Sequence, residues 1–321
     1  MAVLFADFPG AARYAGRLPG LDVVVLPGIW GAGRFLQNRM IRQAVTALRR
    51  LLRTERFGSL HVSHDERPEG QAAVRWFRRH APDAPVHLVE DGLGAYLPVP
   101  RWSPAARAVR LLWAPLRSAW TGTRWRPRPG LGAFGAYDGV WLSHPGLARP
   151  DLRRLPLHAI PRPDAAATRA WREAATARIA LDGTWRDAET LVLLDHPEAG
   201  PTPRAVADRE TVPGEGHVAV KPHPRDPDPA LPEGARVVPA GLAAEILPSL
   251  APSLRHVVGG RSMALLATRW ARPDVRVVSW IGLQDGGGGR LAGLFRAAGV
   301  EVPEDLPGFR DALRGRRRPG R

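Results

Sequence analysis

Along the chain, short apolar runs rich in valine and leucine alternate with longer stretches in which apolar residues recur every three or four positions. The first pattern is that of strands buried on both faces and the second that of helices packed along one side. Their alternation predicts an α/β fold built on parallel sheets. In the first half the predicted strands are residues 3–6, 22–26, 59–63, 86–89 and 139–142, with helices at 33–53 and 69–80. In the second half they are residues 189–195, 217–220, 235–238, 256–258 and 275–280, with helices at 242–247, 262–270 and 290–298. Residues 151–187, rich in Pro, Arg and Ala, carry a predicted helix at 165–179 and mark the passage between the halves.

At 321 residues the chain has the length of two ordinary domains. The pattern divides it into an N-terminal Rossmann-like domain, 1–150, a helical linker, 151–187, and a C-terminal Rossmann-like domain, 188–321. Two β/α halves joined in this way are the plan of the GT-B architecture, two facing Rossmann-like domains with a cleft between them. In such sheets ligands gather at the carboxyl ends of the strands, so those ends are where chemistry is sought.

Three strand ends carry it. After the apolar run 86–89 come Glu90-Asp91-Gly92-Leu93-Gly94, two carboxylates and two glycines. Adjacent carboxylates in a partly desolvated crevice raise one another's pKa, which suits one of them to act as a base toward a hydroxyl. An ordinary acidic turn is the plain alternative. The run 218–220 leads into Lys221-Pro222-His223-Pro224-Arg225-Asp226. The prolines restrict Lys221 and His223 to extended backbone, so Lys221, His223 and Arg225 project to one side as a cationic patch for a phosphate; a proline-rich surface loop is the alternative. Residues 257–258 lead into Gly259-Gly260-Arg261-Ser262 and then a helix, whose unpaired amides and dipole attract an anion. There Ser262 either donates to that anion or simply caps the helix.

Composition bears on the available chemistry in two ways. Cysteine is absent, which removes thiolate chemistry and disulfides and leaves carboxylates, histidines and hydroxyls to do the work. The 46 basic residues outweigh 31 acidic ones for a net charge of +15, so phosphates, acidic polymers, nucleic acid and anionic lipid all come into consideration. Only Lys221 among the basic residues is lysine. The basic residues are spread along the whole chain without a helix-turn-helix, zinc or RNP-type signature, which argues against specific nucleic-acid recognition. His61, His64, Asp65 and Glu66 lack a second ligand cluster, so no metal is expected. No run reaches the ~18–20 apolar residues of a membrane span, and a cytoplasmic protein is expected. Residues 101–128 interleave tryptophans with arginines, a composition that suits an anionic membrane interface, a helix packed on its own domain, or a groove that stacks sugars.

The Glu90-Asp91-Gly92 segment, His223-Pro224 within KPHPRD, and Ser262, in that order and at those strand ends, resemble the acidic, HP and serine motifs of the bacterial alpha-2,8-polysialyltransferase family and its neighbours among the bacterial sialyltransferases. The resemblance runs loosely from about Phe57 to Ile281. It implies a GT-B fold and inverting, metal-independent transfer of a sialic or related nonulosonic acid from a CMP-activated donor to a glycan or polysaccharide acceptor, with no cofactor beyond that donor. Under it Asp91 is the general base, with Glu90 beside it as the second catalytic acid; His223 contacts the CMP phosphate and assists its departure; and Ser262, with Lys221, Pro224, Arg225, Gly260 and Arg261, holds the donor. Where the family's serine motif usually has two adjacent hydroxyl residues, this chain has Arg261-Ser262. A capsule-type CMP-Kdo transferase and a wall-polymer glycerophosphotransferase are the enzyme alternatives. A basic nucleic-acid-binding protein is the alternative from another class.

Overall fold

The computed structural model describes residues 34–54, 56–63, 65–90, 92–99, 101–134, 137–162, 164, 166, 169, 173, 183–195, 217–223, 226, 231, 235–239, 242, 244–284 and 289–314. The strands expected at 3–6 and 22–26 and most of the helix expected at 165–179 lie outside the described residues. The chain divides into two compact units, Met1–Ile160 and Pro161–Arg321.

In the first unit helices α1 (Arg34–Thr54), α2 (Pro68–His80) and α3 (Pro104–Thr121) accompany strands β1 (Leu60–Val62), β2 (Val86–Val89), β3 (Gly139–Leu142) and β4 (Leu157–Ala159). The strands form one parallel sheet in the order β1-β2-β3-β4. Helix α1 buries Ile41, Ala44, Val45, Leu48 and Leu52, the three-and-four spacing of one helical stripe. Ile41 and Val45 meet Ala72 of α2, with Trp76 packed against them. Helix α2 opens on Pro68, carries Glu69 in its first turn and Arg78, Arg79 and His80 in its last, all matched to the helix dipole. Strand β4 is not among the predicted strands. It has three residues, none of them buried, and it lies just after Pro156, so it has no apolar run to announce it and is formed by pairing with β3.

The second unit holds β5 (Thr190–Leu193), β6 (Val218–Lys221), β7 (Arg236–Val237), β8 (His256–Gly259) and β9 (Arg276–Ser279), all parallel, in the order β7-β6-β5-β8-β9. Strand order reverses on either side of β5, as in a doubly wound nucleotide-binding sheet. Its helices are α4 (Leu247–Leu250), α5 (Met263–Ala271), α6 (Ile281–Gln284), α7 (Arg290–Ala297) and α8 (Leu306–Leu313). Every residue of the central strand β5 is buried, which is why it reads as an unbroken apolar run. Val192, Val220, Val258 and Val278 stand opposite one another on β5, β6, β8 and β9, and with Trp280, Phe309, Ala312 and Leu313 they form one core.

Two details depart from the expected elements. The helix expected at 242–247 is instead a 3₁₀ turn, Ala244–Ile246, followed by the single turn α4, which Pro248 enters at a first-turn position where its missing N–H costs nothing. Helix α8 was not expected. Asp305 caps it by accepting from the Gly308 amide at 2.6 Å, and it closes over the valine row. Two parallel α/β units in succession, each a layered Rossmann-like sheet, are the fold class the pattern predicted.

Candidate functional site

In the second unit the carboxyl ends of β5, β6, β8 and β9 lie at one edge of the sheet, and strand order reverses between β5 and β8, the position where doubly wound sheets open a binding crevice. The glycine turn leaving β8 is braced from both neighbouring strands. From β5, Asp195 Oδ1 accepts from the Arg261 amide at 2.8 Å. From β9, Ser279 Oγ donates to the Gly260 carbonyl at 2.8 Å, and the Trp280 amide donates to the Gly259 carbonyl at 3.0 Å. Gly260 is tightly enclosed: a Cβ there would collide with the Asp195 carboxylate and lie 2.6 Å from Trp280 Nε1. Only glycine lets these three strand ends converge.

Ser262 is the N-cap of α5, its Oγ accepting from the Ala264 amide at 3.2 Å. Arg261 is exposed, and its backbone amide is engaged by Asp195. On the other side of β5, Lys221 is buried and Nζ donates to the Pro222 carbonyl at 3.0 Å. Burial lowers its pKa to about 8, against an opposing pull from the Glu245 carboxylate. His223 follows two residues on, half-buried, its carbonyl accepting from the Asp226 amide at 2.9 Å. Lys221, His223, Gly260, Arg261 and Ser262 therefore stand at the same sheet edge, from β6 across β5 to β8, a span of two strand spacings or roughly 10 Å. Pro224 and Arg225 lie outside the described residues.

Asp195 is the residue that sequence reasoning missed. Burial raises its carboxyl pKa, against the pull of the Arg261 amide and charge. Its signal was present, since the run 190–194 ends on this acid just as the run 86–89 ends on Glu90. A single aspartate without a partnering motif did not stand out.

In the first unit Glu90 leaves β2 and is held from β3. Its Oε2 accepts from the Ser143 amide at 2.9 Å, from Ser143 Oγ at 3.0 Å and from the Tyr96 hydroxyl. The Tyr96 oxygen in turn accepts from the His144 amide at 3.2 Å. Burial and the Glu90 carboxylate push the Tyr96 phenol above its ordinary pKa, so it stays a donor. Glu90 thus ties two strand ends and the Gly92–Ala95 turn together, with Gly92 at φ 56, the left-handed region that favours glycine. Asp91, between them in the chain, lies outside the described residues. Beneath this turn Arg149, 2% exposed, donates to the carbonyls of Gly94 and Leu131 and pairs with Asp151 at 2.8 Å. Asp65, fully buried, accepts from the Gly132 amide at 2.8 Å, the Phe134 amide at 3.1 Å and the Tyr137 hydroxyl at 2.9 Å, which is a framework role.

One further cluster was not foreseen. His61, His87, Trp141 and His158, one from each of β1 to β4, share a sheet face with ring centroids 4.9 to 6.3 Å apart. Burial first, and then the charge of a neighbouring histidine, lowers the pKa of His61 and of His87. Among the described residues no three His, Asp or Glu side chains converge as metal ligands do.

No family model matches the chain, and no curated protein matches it by sequence. Among solved structures it is similar to a spinosyn rhamnosyltransferase in complex with spinosyn aglycone, at 16% identity and a TM-score of 0.42 over 98% of this chain and 91% of that one. It is also similar to an alpha/beta-galactoside alpha-2,3-sialyltransferase from Photobacterium phosphoreum, at 8% identity and a TM-score of 0.49 over 94% and 90%. A third is the calicheamicin glycosyltransferase CalG4, at 12% identity and a TM-score of 0.37 over 92% and 78%. All three are glycosyltransferases.

Proposed function

We propose that the chain is a glycosyltransferase that moves sialic acid or a related nonulosonic acid from a CMP-activated donor to a glycan or polysaccharide acceptor, with inversion and without a metal. The observation that carries the reading is the shared sheet edge at which Lys221 and His223 leave β6 and the braced Gly260–Ser262 turn leaves β8. A departing nucleotide monophosphate needs positive charge and donors where its negative charge grows. The Lys221 ammonium, the His223 imidazole, the Arg261 guanidinium and the first turn of α5 supply them around one strand. Asp195 holds the turn in place by taking the Arg261 amide.

In the proposed step the acceptor hydroxyl oxygen bonds to the anomeric carbon of the donor sugar from the face opposite the phosphate. The anomeric C–O bond breaks, its electron pair leaves on CMP, and the hydroxyl proton passes to the Asp91 carboxylate. Glu90 has a different part, tying the end of β2 to Ser143 and Tyr96 by its three contacts.

The test is a thermal-shift and calorimetric screen of the purified protein against CMP, CDP, UMP, UDP, GDP and ADP, with and without magnesium. Ligand at 100 times its Kd stabilises the folded state by about 2.7 kcal/mol. We expect a stabilisation of several degrees selective for CMP, indifferent to magnesium and much reduced in His223→Ala. Asp91→Asn keeps that CMP response and loses transfer. Preference for a diphosphate nucleotide, or wild-type turnover by Asp91→Asn, overturns the reading.

A further inference from the structure

Helix α3 presents an apolar face to solvent. Val109, Leu112, Trp113, Leu116 and Trp120 recur at three- and four-residue intervals, so they form one stripe, and all five are exposed. Leu112 is 78% exposed and Trp113 56%, values far from those of a packed helix face. The opposite side of the helix is the one engaged by the unit, through buried Ala114 and Thr121 and through contact with α1. Ser103 caps the helix by accepting from the Ala106 amide at 3.2 Å, Pro104 opens its first turn, Pro115 sits in its interior and Gly122 ends it. Its exposed stripe is part of the surface of the first unit.

The charge around the stripe identifies what it meets. From residue 92 to residue 137 the chain has no aspartate or glutamate and seven arginines. Helix α1, packed beside α3, has six arginines and likewise no acid. Along one flank of α3 the arginines border two hollows of about 450 and 700 Å³ that share Trp102, Trp125, Arg128 and Pro129. Arg110 lies over the Trp102 ring and Arg117 over the Trp125 ring, each 4.4 Å from its centroid. An exposed leucine and tryptophan stripe bordered by arginines, with Glu66 the one acid lining either hollow, has the chemistry of a bilayer interface: acyl chains for the stripe, headgroup phosphates for the arginines.

We infer that α3 is a docking surface for anionic lipid, lying in the plane of the interface with Leu112, Trp113, Leu116 and Trp120 among the acyl chains and headgroup phosphates at the arginine-lined hollows. No helix among the described residues is long and apolar enough to cross a membrane. The lipid contact is independent of which donor the chain uses.

The experiment is co-flotation of the full chain with vesicles of pure phosphatidylcholine and of phosphatidylcholine with one third phosphatidylglycerol, alongside sedimentation velocity without lipid. We expect at least tenfold stronger partition to the anionic vesicles, weakened in 0.5 M salt. We expect a further tenfold loss in Leu112→Ser/Trp113→Ser, whose exposed positions leave folding intact, as an unchanged melting temperature verifies. Arg107→Ala/Arg110→Ala should reduce binding to anionic vesicles and leave the weak binding to neutral ones unchanged. Absence of wild-type binding to anionic vesicles, or equal binding by the well-folded double serine variant, overturns the proposal. So does a lipid-free dimer that the serine variant converts to monomer while vesicle binding is absent, which makes the stripe a seam between copies.

Discussion

At the scale of single residues the most constrained position is Gly260. A methyl group there would strike the Asp195 carboxylate and crowd Trp280 Nε1, and neither can move easily because Asp195 holds the Arg261 amide and Trp280 is fully buried. Gly260→Ala should therefore cost about 1–3 kcal/mol, the range for overpacking a tight interior, and lower the melting temperature by several degrees. By the same reasoning Asp195→Ala would release the crowding and should restore part of that loss in the double variant. Additive losses in a thermal-melt cycle would mean that the two residues do not share one constraint. Glu90 and His223 were legible as residues because their motifs follow apolar runs. Asp195 and Ser279 come close to Gly260 through β5 and β9, and nothing local in the sequence records that neighbourhood.

Among elements, those with both a periodic stripe and chemical end signals were readable to within a residue or two. Helix α2 has Pro68 at one end and Arg78, Arg79 and His80 at the other. Strand β2 was read with its exact bounds, because Val86 and Leu88 are wholly buried and the run stops at Glu90. Strand β4 and helix α8 were not readable, since each owes its existence to what it packs against. The histidine ladder is a property of the sheet formed by β1 to β4, and it has a consequence for pH. His61 and His87 have folded-state pKa values below the ordinary one near 6.5, so as the pH falls through that value the unfolded chain takes up protons before the folded one. Stability is complete above about pH 6.5 and declines below it. Urea titrations from pH 7.5 to 5 should show that decline, and His87→Gln should make it shallower. An identical slope in the variant would remove the ladder as its cause.

For the molecule as a whole the +15 charge has to be separated from the sites. Arginines are distributed along both units, so the protein should bind duplex DNA at low salt through phosphates alone. That binding should show no preference for sequence and fall steeply between 50 and 200 mM salt, as gel-shift or anisotropy titrations would show. Sequence preference that persists at 200 mM would instead require base-reading contacts and would reopen nucleic acid as a true ligand. The proposed CMP response and the lipid docking differ from this background because each depends on a particular arrangement, the β6–β5–β8 edge in one case and the α3 stripe in the other.

The α/β class, most of the described strands and three strand ends bearing polar residues were legible in the order of residues alone, because burial on both faces and helical amphipathicity leave their period there. The sequence also held the exclusion of thiol chemistry, which depends on composition alone. Tertiary structure decided the rest. The order β7-β6-β5-β8-β9 places His223 and Ser262 at one edge, Asp195 between them and the opening at the strand reversal, and strand order is set by pairing between segments that are distant in the chain. Whether the apolar residues of α3 were core or surface was equally undecided by their spacing, which marks two sides of a helix without naming them. Packing of Ala114 and Thr121 into the first unit turned Leu112 and Trp113 outward, and only that packing decided which side of the helix meets the surroundings.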